Sequence, residues 1–438
     1  MNLHITKLWF GVILIVICGA ILRGSYNTKT QFIEPIRGDA AYYIIYAQNL
    51  LEHSTFSKDR NKPPVPDSYW APGYPVFLAS VIKLSEILNV GDYGAILWGQ
   101  VILAAATILL TFLLARTFLP AYWPLLPASL VALSPHLVSI GAYALTETLF
   151  GFLLLLCLYF LSRSRMSPRW SCWLFAGISL SLAYLVNPVA LVLAPVLASV
   201  VFFYRGTQQE RRERNARAVL LLVLPIIVVA TLWSVRTSIS VPDDQPSSSG
   251  RLLTNLKIGL YDDYHDKWRE SILQPEKNTV VPGAGIDASY STFYRELYTR
   301  ILEDPVGMLS WYAIEKPILL WSWNIKTGQG DVYIYPVEYS LYHISTVALI
   351  TYSLMSTTHF WLFAASVLGL VYLVINRRDE LLVPVTLYAT LIAISAVYVI
   401  SQAEPRYSIP LRSEMYICAT FFFWQTSIWL GRIRRDSR

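Results

Sequence analysis

Apolar segments alternate with shorter polar stretches along most of the chain. Segments of this kind can cross the roughly 30 Å hydrocarbon core of a bilayer as helices. The candidates are residues 6–22, 94–117, 121–140, 147–163, 170–186, 188–204, 218–236, 359–375, 381–400 and 411–430. Three further segments, 72–88, 309–323 and 340–356, are shorter or more polar. The pattern predicts an all-α polytopic membrane protein.

Arginine clusters between these segments predict how the chain is oriented, because such clusters favour the cytoplasmic side of a membrane. The clusters are at 163–169, 205–217, 376–380 and 431–438. All of them lie in the cytoplasm only if residues 72–88 form an interfacial helix and do not cross. To keep the last two arginine clusters in the cytoplasm, an even number of crossings must be added after residue 236 by the doubtful segments. Residues 309–323 and 340–356 therefore both cross the membrane or both do not. We therefore predict ten or twelve crossings, with both termini in the cytoplasm.

This orientation leaves two large extracytoplasmic loops, residues 23–93 and 237–308, within one membrane domain that covers 1–438. The first loop is expected to contain a helix over 40–53 besides the interfacial helix, and the second an amphipathic helix near 290–303. The first apolar segment is not followed by a small-residue cleavage site, so we expect it to remain as a membrane helix.

Composition supports a membrane protein and narrows its partners. Hydrophobic residues make up 55% of the chain and charged residues 15%, whereas about 25% of a soluble domain is charged. The four cysteines lie within or beside apolar segments, which argues against a disulfide framework or a thiolate metal site. The net charge of +6 comes largely from arginines in short loops, so we expect contacts with membrane lipids and not with nucleic acid. A bacterial inner membrane is the expected location.

Asp39 follows the first apolar segment, in the stretch RGDAAYYIIYAQNL. Its place at the start of a predicted helix on the outer face has two explanations. Asp39 is either a helix cap or an acid that faces a substrate at the level of the lipid headgroups. Tyr42 and Tyr43 suit an interfacial aromatic belt. They could also support a bound acceptor substrate if Asp39 faces one.

Two later outer positions carry charge. Glu147 lies where an outer loop enters the bilayer, and an ionisable group there is costly unless it has a partner; a favourable helix dipole is the alternative explanation. Arg406 lies on the last outer turn, where its planar fork suits a phosphate and Glu404 could orient it. The alternative is an arginine that simply extends to the headgroups.

Metal and cofactor signals are weak. Asp262, Asp263, His265 and Asp266 cluster in YDDYHDKW without a known ligand spacing, so a divalent metal stays open and no cofactor is assigned. His136 could donate to a ligand, although a satisfied interfacial histidine is the simpler explanation. The sequence contains no nucleotide-binding loop or nucleophilic-serine motif.

Taken in order, five stretches resemble the GT-C membrane glycosyltransferases. They are RGDAAYYIIYAQNLLEHSTF, YWAPGYPVFLASVIKL, ALSPHLVSIGAYALTETLF, NPVALVLAPVL and EPRYSIPLRSEM. The resemblance is to the branch that includes bacterial protein O-mannosyltransferases and the aminoarabinose transferase that acts on lipid A. It covers roughly the first 200 residues and the last 40 or so, and it implies a GT-C bundle with interfacial helices in the first outer loop.

The resemblance also implies an activity: inverting transfer of a sugar from a polyprenyl-phosphate donor to a hydroxyl of a lipid, glycan or protein acceptor. Asp39 corresponds to the family's proposed base, and Glu147 to the acid of the second outer loop. Arg406 and Tyr407 correspond to an Arg-Tyr pair near the donor phosphate, where Tyr74 is also expected.

The chain departs from the family pattern in three places. One is the Lys that follows the acid before the second interfacial helix in the aminoarabinose branch, which is absent here, with Ala71 and Pro72 near its place. Ala40 follows Asp39 where the protein mannosyltransferases have Glu, which makes a protein acceptor less favoured, and Asn187 replaces a common arginine. Two other functions stay open. A transporter or flippase of lipid-linked sugars should carry ionisable residues or broken helices in mid-membrane, and a saccharide polymerase or ligase usually depends on arginines in a large late outer loop.

Overall fold

The computed structural model describes residues 3–166, 169–203, 209–277, 279–282, 289–376 and 382–436. Each of the four arginine clusters lies partly outside these residues. The orientation of the chain in the membrane therefore stays a prediction.

The described chain is almost entirely helical. Its longer helices are Leu3–Lys29, Gly38–His53, Gly73–Leu88, Asp92–Ala115, Glu147–Met166, Trp170–Val186, Leu193–Phe203, Gln209–Ser240, Ser248–Ile258, Tyr264–Leu273, Tyr290–Glu303, Thr346–Ile375, Leu382–Ile400 and Arg412–Asp436. Shorter α-helices are Leu125–Leu133, Pro135–Ile140, Pro305–Ser310, Lys316–Leu320, Leu341–Ile344 and Pro405–Ser408. Three 3₁₀ turns occur at Pro188–Val192, Pro275–Lys277 and Ile409–Leu411, and a π-helical turn at Trp311–Glu315. Two short strands, Gln31–Phe32 and Val337–Tyr339, pair antiparallel.

Six helices in the described part of the chain are long and apolar enough to cross a membrane. They are Thr6–Lys29, Asp92–Ala115, Glu147–Ser164, Asn215–Ser240, Thr346–Ile375 and Leu382–Ile400. Two shorter apolar helices, Trp170–Val186 and Pro188–Phe203, match the predicted segments 170–186 and 188–204. The predicted class, an all-α polytopic membrane protein, is confirmed.

The segments 340–356 and 359–375 are not separate crossings. Residues 346–375 form one continuous helix of 30 residues, about 45 Å long at 1.5 Å per residue. A single helix of this length crosses a bilayer once, so this stretch supplies one crossing and not two; the total number of crossings stays a prediction.

The segment 121–140 was expected to be one helix, but it is broken at Ser134. Pro135 lacks an N–H group and forces the residue before it out of the α conformation, and Ser134 is extended. The carbonyl groups left open by the break are those of Val131 and Ala132, and each accepts a 2.9 Å hydrogen bond from Arg23. The buried Arg23 thus provides hydrogen-bond donors for backbone carbonyls that lipid could not satisfy.

The three loop helices predicted from periodicity are present as Gly38–His53, Gly73–Leu88 and Tyr290–Glu303. The main apolar core runs through helices from both ends of the chain. One contact in it positions the site: a Cβ on Gly151 would lie 2.9 Å from the carbonyl oxygen of Pro410. Only glycine permits this approach without a shift of the backbone, which brings the turn that follows Leu382–Ile400 beside the helix that starts at Glu147.

Candidate active site

Asp39 lies in the first turn of the helix Gly38–His53. The N-cap of this helix is Arg37, which makes no side-chain capping bond, and Gly38 has the positive φ of +51° that favours glycine. The Asp39 carboxylate turns instead to Arg406, whose Nη1 donates to Oδ2 at 3.0 Å. The capping explanation is therefore wrong. About a third of the Asp39 side chain (33%) is exposed, so its carboxylate is accessible.

Arg406 joins Asp39 to Glu147. Its Nε donates a second hydrogen bond, to Oε1 of Glu147, so one guanidinium bridges two acids from different parts of the chain. The side chain of Glu147 is 6% exposed and that of Arg406 14%. Burial alone would lower the pKa of Arg406, but the Glu147 and Asp39 carboxylates raise it well above its usual value, so the guanidinium stays charged. Two carboxylates and one guanidinium leave this acid–arginine–acid cluster with one formal negative charge.

Glu404 does not orient Arg406 as expected. Its Oε2 lies 2.9 Å from Nε2 of His265, and both side chains are almost fully buried. Its Oε1 accepts a 3.4 Å hydrogen bond from the backbone N–H of Thr327. Glu404 thus connects His265 and Thr327 to the turn that carries Arg406. His265 belongs to this contact and not to an acidic metal cluster.

A cleft opens beside Asp39 and Glu147. Its empty volume is about 510 Å³ with open solvent included. The wall includes Tyr43, Trp70, Asn187, Arg251, Tyr398 and Tyr407. These six residues come from six separate segments of the chain, so the cleft exists only in the folded protein.

Arg251 brings a second cation to the cleft. Its guanidinium carbon lies 3.5 Å from the centroid of the Trp70 ring. Stacking on an aromatic face fixes the plane of the guanidinium while its in-plane N–H groups remain free to donate. Within the described residues Arg251 has no carboxylate within ion-pair distance, in contrast to Arg406.

The predicted tyrosines divide between the cleft and its surroundings. Tyr43 lines the cleft, and burial raises its pKa. Tyr407 also lines it; its ring stacks on Tyr398 at 4.8 Å, and burial raises the pKa of its hydroxyl to about 12. Tyr74 is fully buried and packs edge-on against Tyr43, so it supports the wall without forming its surface. Tyr42 is 43% exposed and does not line the cleft.

His136 is buried away from the cleft. Its Nε2 lies 2.8 Å from the carbonyl oxygen of Trp323, and its ring packs edge-on against the Trp323 indole. The Trp323 carbonyl pairs with Nε2, while Nδ1 is buried without a hydrogen-bond partner among the described residues.

No group of three or more His, Cys, Asp and Glu residues suited to a metal ion occurs in the part of the chain that the structure describes. The two acids of the cleft share Arg406 between them. A divalent cation bound by Asp39 and Glu147 together would require this guanidinium to move away.

Sequence reasoning missed Arg251, Trp70 and Tyr398. Arg251 lies in the middle of the chain, where the family resemblance is limited to hydropathy, and it is one arginine among many. Asn187 was noted only as a departure from the family pattern, yet it lines the cleft and donates to the Tyr398 hydroxyl at 3.1 Å. The position of Trp70 directly before the Ala-Pro-Gly-Tyr-Pro turn was the local signal that could have marked it.

Comparisons with known proteins agree with this fold. Residues 72–233 match the family described as dolichyl-phosphate-mannose-protein mannosyltransferase. A search of curated proteins gives no match. Archaeal oligosaccharyltransferase AglB from Archaeoglobus fulgidus, in complex with an inhibitory peptide and a dolichol-phosphate, matches with a TM-score of 0.52 at 13% identity, covering 99% of this chain and 52% of that chain.

Two further solved structures are similar. The apo oligosaccharyltransferase of Archaeoglobus fulgidus has a TM-score of 0.50 at 12% identity, covering 97% of this chain and 52% of that chain. ArnT from Cupriavidus metallidurans, bound to undecaprenyl phosphate, has a TM-score of 0.42 at 12% identity, covering 95% of this chain and 78% of that chain. The chain spans about half the length of the archaeal enzyme. Together with the bundle of apolar helices, the archaeal matches confirm that this chain has the fold of the GT-C membrane glycosyltransferases.

Proposed function

We propose that this protein is an inverting glycosyltransferase that moves a sugar from a polyprenyl-phosphate donor to an acceptor hydroxyl at the outer face of the membrane. The observation that carries the proposal is a cleft in which Asp39 is the exposed member of the acid–arginine–acid cluster and Arg251 is a cation with no carboxylate partner among the described residues. A family named for dolichyl-phosphate mannose, matched by residues 72–233, supports a donor of this kind.

Asp39 acts as the base. Arg406 donates to Oδ2 of Asp39, which leaves Oδ1 to accept the proton of the acceptor hydroxyl as its oxygen attacks the anomeric carbon. The bond from that carbon to the donor phosphate breaks in the same step, so the configuration inverts. Positioned bases of this kind contribute about 10²–10⁴-fold in rate.

Arg251 stabilises the departing phosphate. The sequence pointed to Arg406 for this role, but Arg406 already donates to two carboxylates, and the cluster it belongs to is formally negative. A phosphate in the cleft would be repelled by that cluster unless another cation met it. Arg251 has free in-plane donors, and a preorganised cation at the site of developing charge lowers the barrier without rearrangement.

Arg406 and Glu147 hold the base in place. Glu147 fixes the Nε edge of the guanidinium, and the guanidinium in turn fixes the Asp39 carboxylate. Tyr407 lies next to Arg406 in the chain and forms part of the cleft wall, where its protonated hydroxyl can donate to the sugar or the phosphate.

The apolar helices around the cleft would hold the polyprenyl chain in the bilayer, and we place the enzyme in a bacterial inner membrane with both termini in the cytoplasm. Arginine clusters in the short loops support this orientation. Acceptor hydroxyls on lipids, glycans or proteins would then reach Asp39 from the opposite side of the membrane.

The proposal is tested by a transfer assay with purified protein in lipid nanodiscs. Polyprenyl-phosphate-linked mannose, glucose, galactose and aminoarabinose are supplied as donors with an extract of envelope glycolipids and glycans as acceptors, and the anomeric configuration of the product is read by NMR. We expect inverted product from the wild type. Asp39→Asn should lower the rate at least about 100-fold with an unchanged melting temperature, while the control Asp244→Asn, at an exposed acid outside the cleft, should match the wild type.

Transfer by Asp39→Asn at the wild-type rate would remove Asp39 as the base, and a product with retained configuration would reject the single displacement. Movement of the labelled donor across proteoliposome membranes without product would favour the transporter or flippase alternative. Growth of the donor saccharide itself would favour a polymerase.

A further inference from the structure

A second cavity, which we call the polar bowl, lies apart from the catalytic cleft. Asp266 and Arg269 of the helix Tyr264–Leu273 form one side of it. Asn324, Lys326, Tyr333 and His343 contribute the other side. Its empty volume of about 910 Å³, open solvent included, exceeds that of the cleft.

The segment 333–335 runs from the polar bowl to the residues beside Asp39. Tyr333 lines the bowl, and the hydroxyl oxygen of Tyr335, two residues further on, accepts a 3.3 Å hydrogen bond from the backbone N–H of Ala40. Ala40 is the neighbour of Asp39. Thr327 lies beside Lys326 of the bowl, and its backbone N–H donates to Glu404, two residues before Arg406. The bowl is thus linked to the cluster around Asp39 through two short stretches of backbone.

The groups around the polar bowl combine donors and acceptors without an excess of either charge. Nη2 of Arg269 donates one hydrogen bond to the carbonyl of Gln329 at 3.1 Å. The other N–H groups of this guanidinium can donate to a ligand. Lys326 is exposed and only loosely paired, its Nζ lying 3.7 Å from Asp266. Nδ1 of His343 accepts from the Ser340 N–H at 3.2 Å, which leaves Nε2 as a donor.

This mixture of hydrogen-bond donors and acceptors favours a saccharide over a phosphate. A phosphate accepts hydrogen bonds and would meet repulsion from Asp266 on the rim. A sugar hydroxyl both donates and accepts, so it can use Asp266 and the Asn324 amide as well as Arg269. The pattern and the size fit two or three sugar rings.

We propose that the polar bowl binds a neutral saccharide, and that this saccharide is the part of a glycan acceptor remote from the hydroxyl that receives the sugar. The second statement rests on the proposed glycosyltransferase function, and it makes the acceptor a glycan. The link through Tyr333, which lines the bowl, and Tyr335, which contacts Ala40, is the reason for placing the remote part of one acceptor chain in the bowl and its reacting hydroxyl at Asp39.

The test measures saccharide binding directly, without turnover. Purified full-length protein in nanodiscs is titrated with fluorescent tri- and tetrasaccharides of glucose, galactose, mannose and N-acetylglucosamine, and binding is followed by microscale thermophoresis. Asn324 is exposed, so in Asn324→Trp the larger side chain can occupy the bowl without disturbing the core. Arg269→Ala removes the guanidinium N–H donors from the bowl. Both should weaken the best probe at least about tenfold, as expected for loss of a charged hydrogen bond. The control Arg295→Ala, at an exposed arginine of the helix Tyr290–Glu303, should stay within about twofold of the wild type.

Failure of the two proposals can be told apart. Asp39→Asn should bind the saccharide as the wild type does, because Asp39 is outside the polar bowl. If saccharides bind in the bowl but no transfer occurs with any donor, the proposed function fails while the saccharide site stands. If no probe binds the wild type, if Asn324→Trp and Arg269→Ala bind as well as the wild type, or if inorganic phosphate binds with higher affinity than every saccharide, the bowl proposal is overturned.

Discussion

Two buried charge clusters lie only two residues apart on the turn after Leu382–Ile400, and they differ in what surrounds them. Glu404 pairs with His265 where both side chains are at most 4% exposed, and neither residue lines the catalytic cleft. Arg406 pairs with Glu147 and Asp39, and Asp39 is 33% exposed at the cleft. The first cluster is almost fully buried, whereas the second presents one carboxylate to an open cleft.

The difference shows that burial and pairing alone do not mark a catalytic site. Both clusters join distant parts of the chain, and both contain groups that are costly to bury without partners. Only the open cluster can exchange a proton with a substrate. The two clusters should therefore respond differently to substitution.

Arg406→Ala should have the largest effect, because it leaves Glu147 and Asp39 close together without their shared cation. Removing one partner of a buried ion pair costs about 3–5 kcal/mol of stability. We expect a strongly lowered melting temperature in nanodiscs together with loss of sugar transfer. Arg406→Lys retains the charge but cannot present two planar N–H groups, so it should fall between Arg406→Ala and the wild type. A melting temperature unchanged in Arg406→Ala would contradict the bridging role.

Arg251→Ala should affect the donor and not the fold. A hydrogen bond to a charged group is worth about 1.5–3 kcal/mol, which corresponds to a fall in kcat/KM for the lipid-linked donor of about 10- to 100-fold. The melting temperature should change little, because within the described residues the recorded contacts of the Arg251 side chain are with the Tyr69 and Trp70 rings. Arg251→Lys should recover part of the loss. If donor kinetics are unchanged in Arg251→Ala, the phosphate lies elsewhere.

His265→Ala should have the smallest effect on catalysis and a measurable effect on stability. Glu404 would lose the imidazole but keep the Thr327 N–H, so the expected cost is about 1–3 kcal/mol of stability. Differential scanning fluorimetry should show this loss, while kcat and KM stay near the wild-type values. Asp263→Ala, which removes an exposed ion pair with Lys267 on the same helix, should cost at most about 0.5 kcal/mol. A large fall in kcat for His265→Ala at low temperature, where the variant is folded, would place the closed cluster in the mechanism.

The sequence predicted most helices well because hydropathy and turn signals act over a few residues. Gly38–His53, Gly73–Leu88 and Tyr290–Glu303 lie close to their expected positions. The errors occurred where local signals compete. Pro135 broke an apolar run that hydropathy joined, and the polar residues around 357–359 suggested a gap inside the continuous helix Thr346–Ile375.

The candidate site was predicted in part. Asp39, Glu147 and Arg406 were named as separate charges on one side of the membrane, and the structure brings them into one cluster. Their contacts were not predicted: the pairing of Asp39 and Glu147 with Arg406 was not foreseen, Glu404 was assigned to Arg406, and Arg251 was absent. Residue type and order along the chain indicate which groups carry charge, but they do not indicate which groups touch.

The sequence by itself determined that this is a helical membrane protein, where most of its helices begin and end, and which acids and which late arginine belong to the same surface. Those properties follow from apolar length and from local backbone preferences. Only the tertiary structure decided that Arg406 spans 367 positions of sequence to reach Asp39 and 259 to reach Glu147, and that Arg251 lies over the Trp70 ring at the cleft. Such pairings depend on how the helices pack, because a charge in an apolar surrounding is stable only beside the partner that packing brings to it.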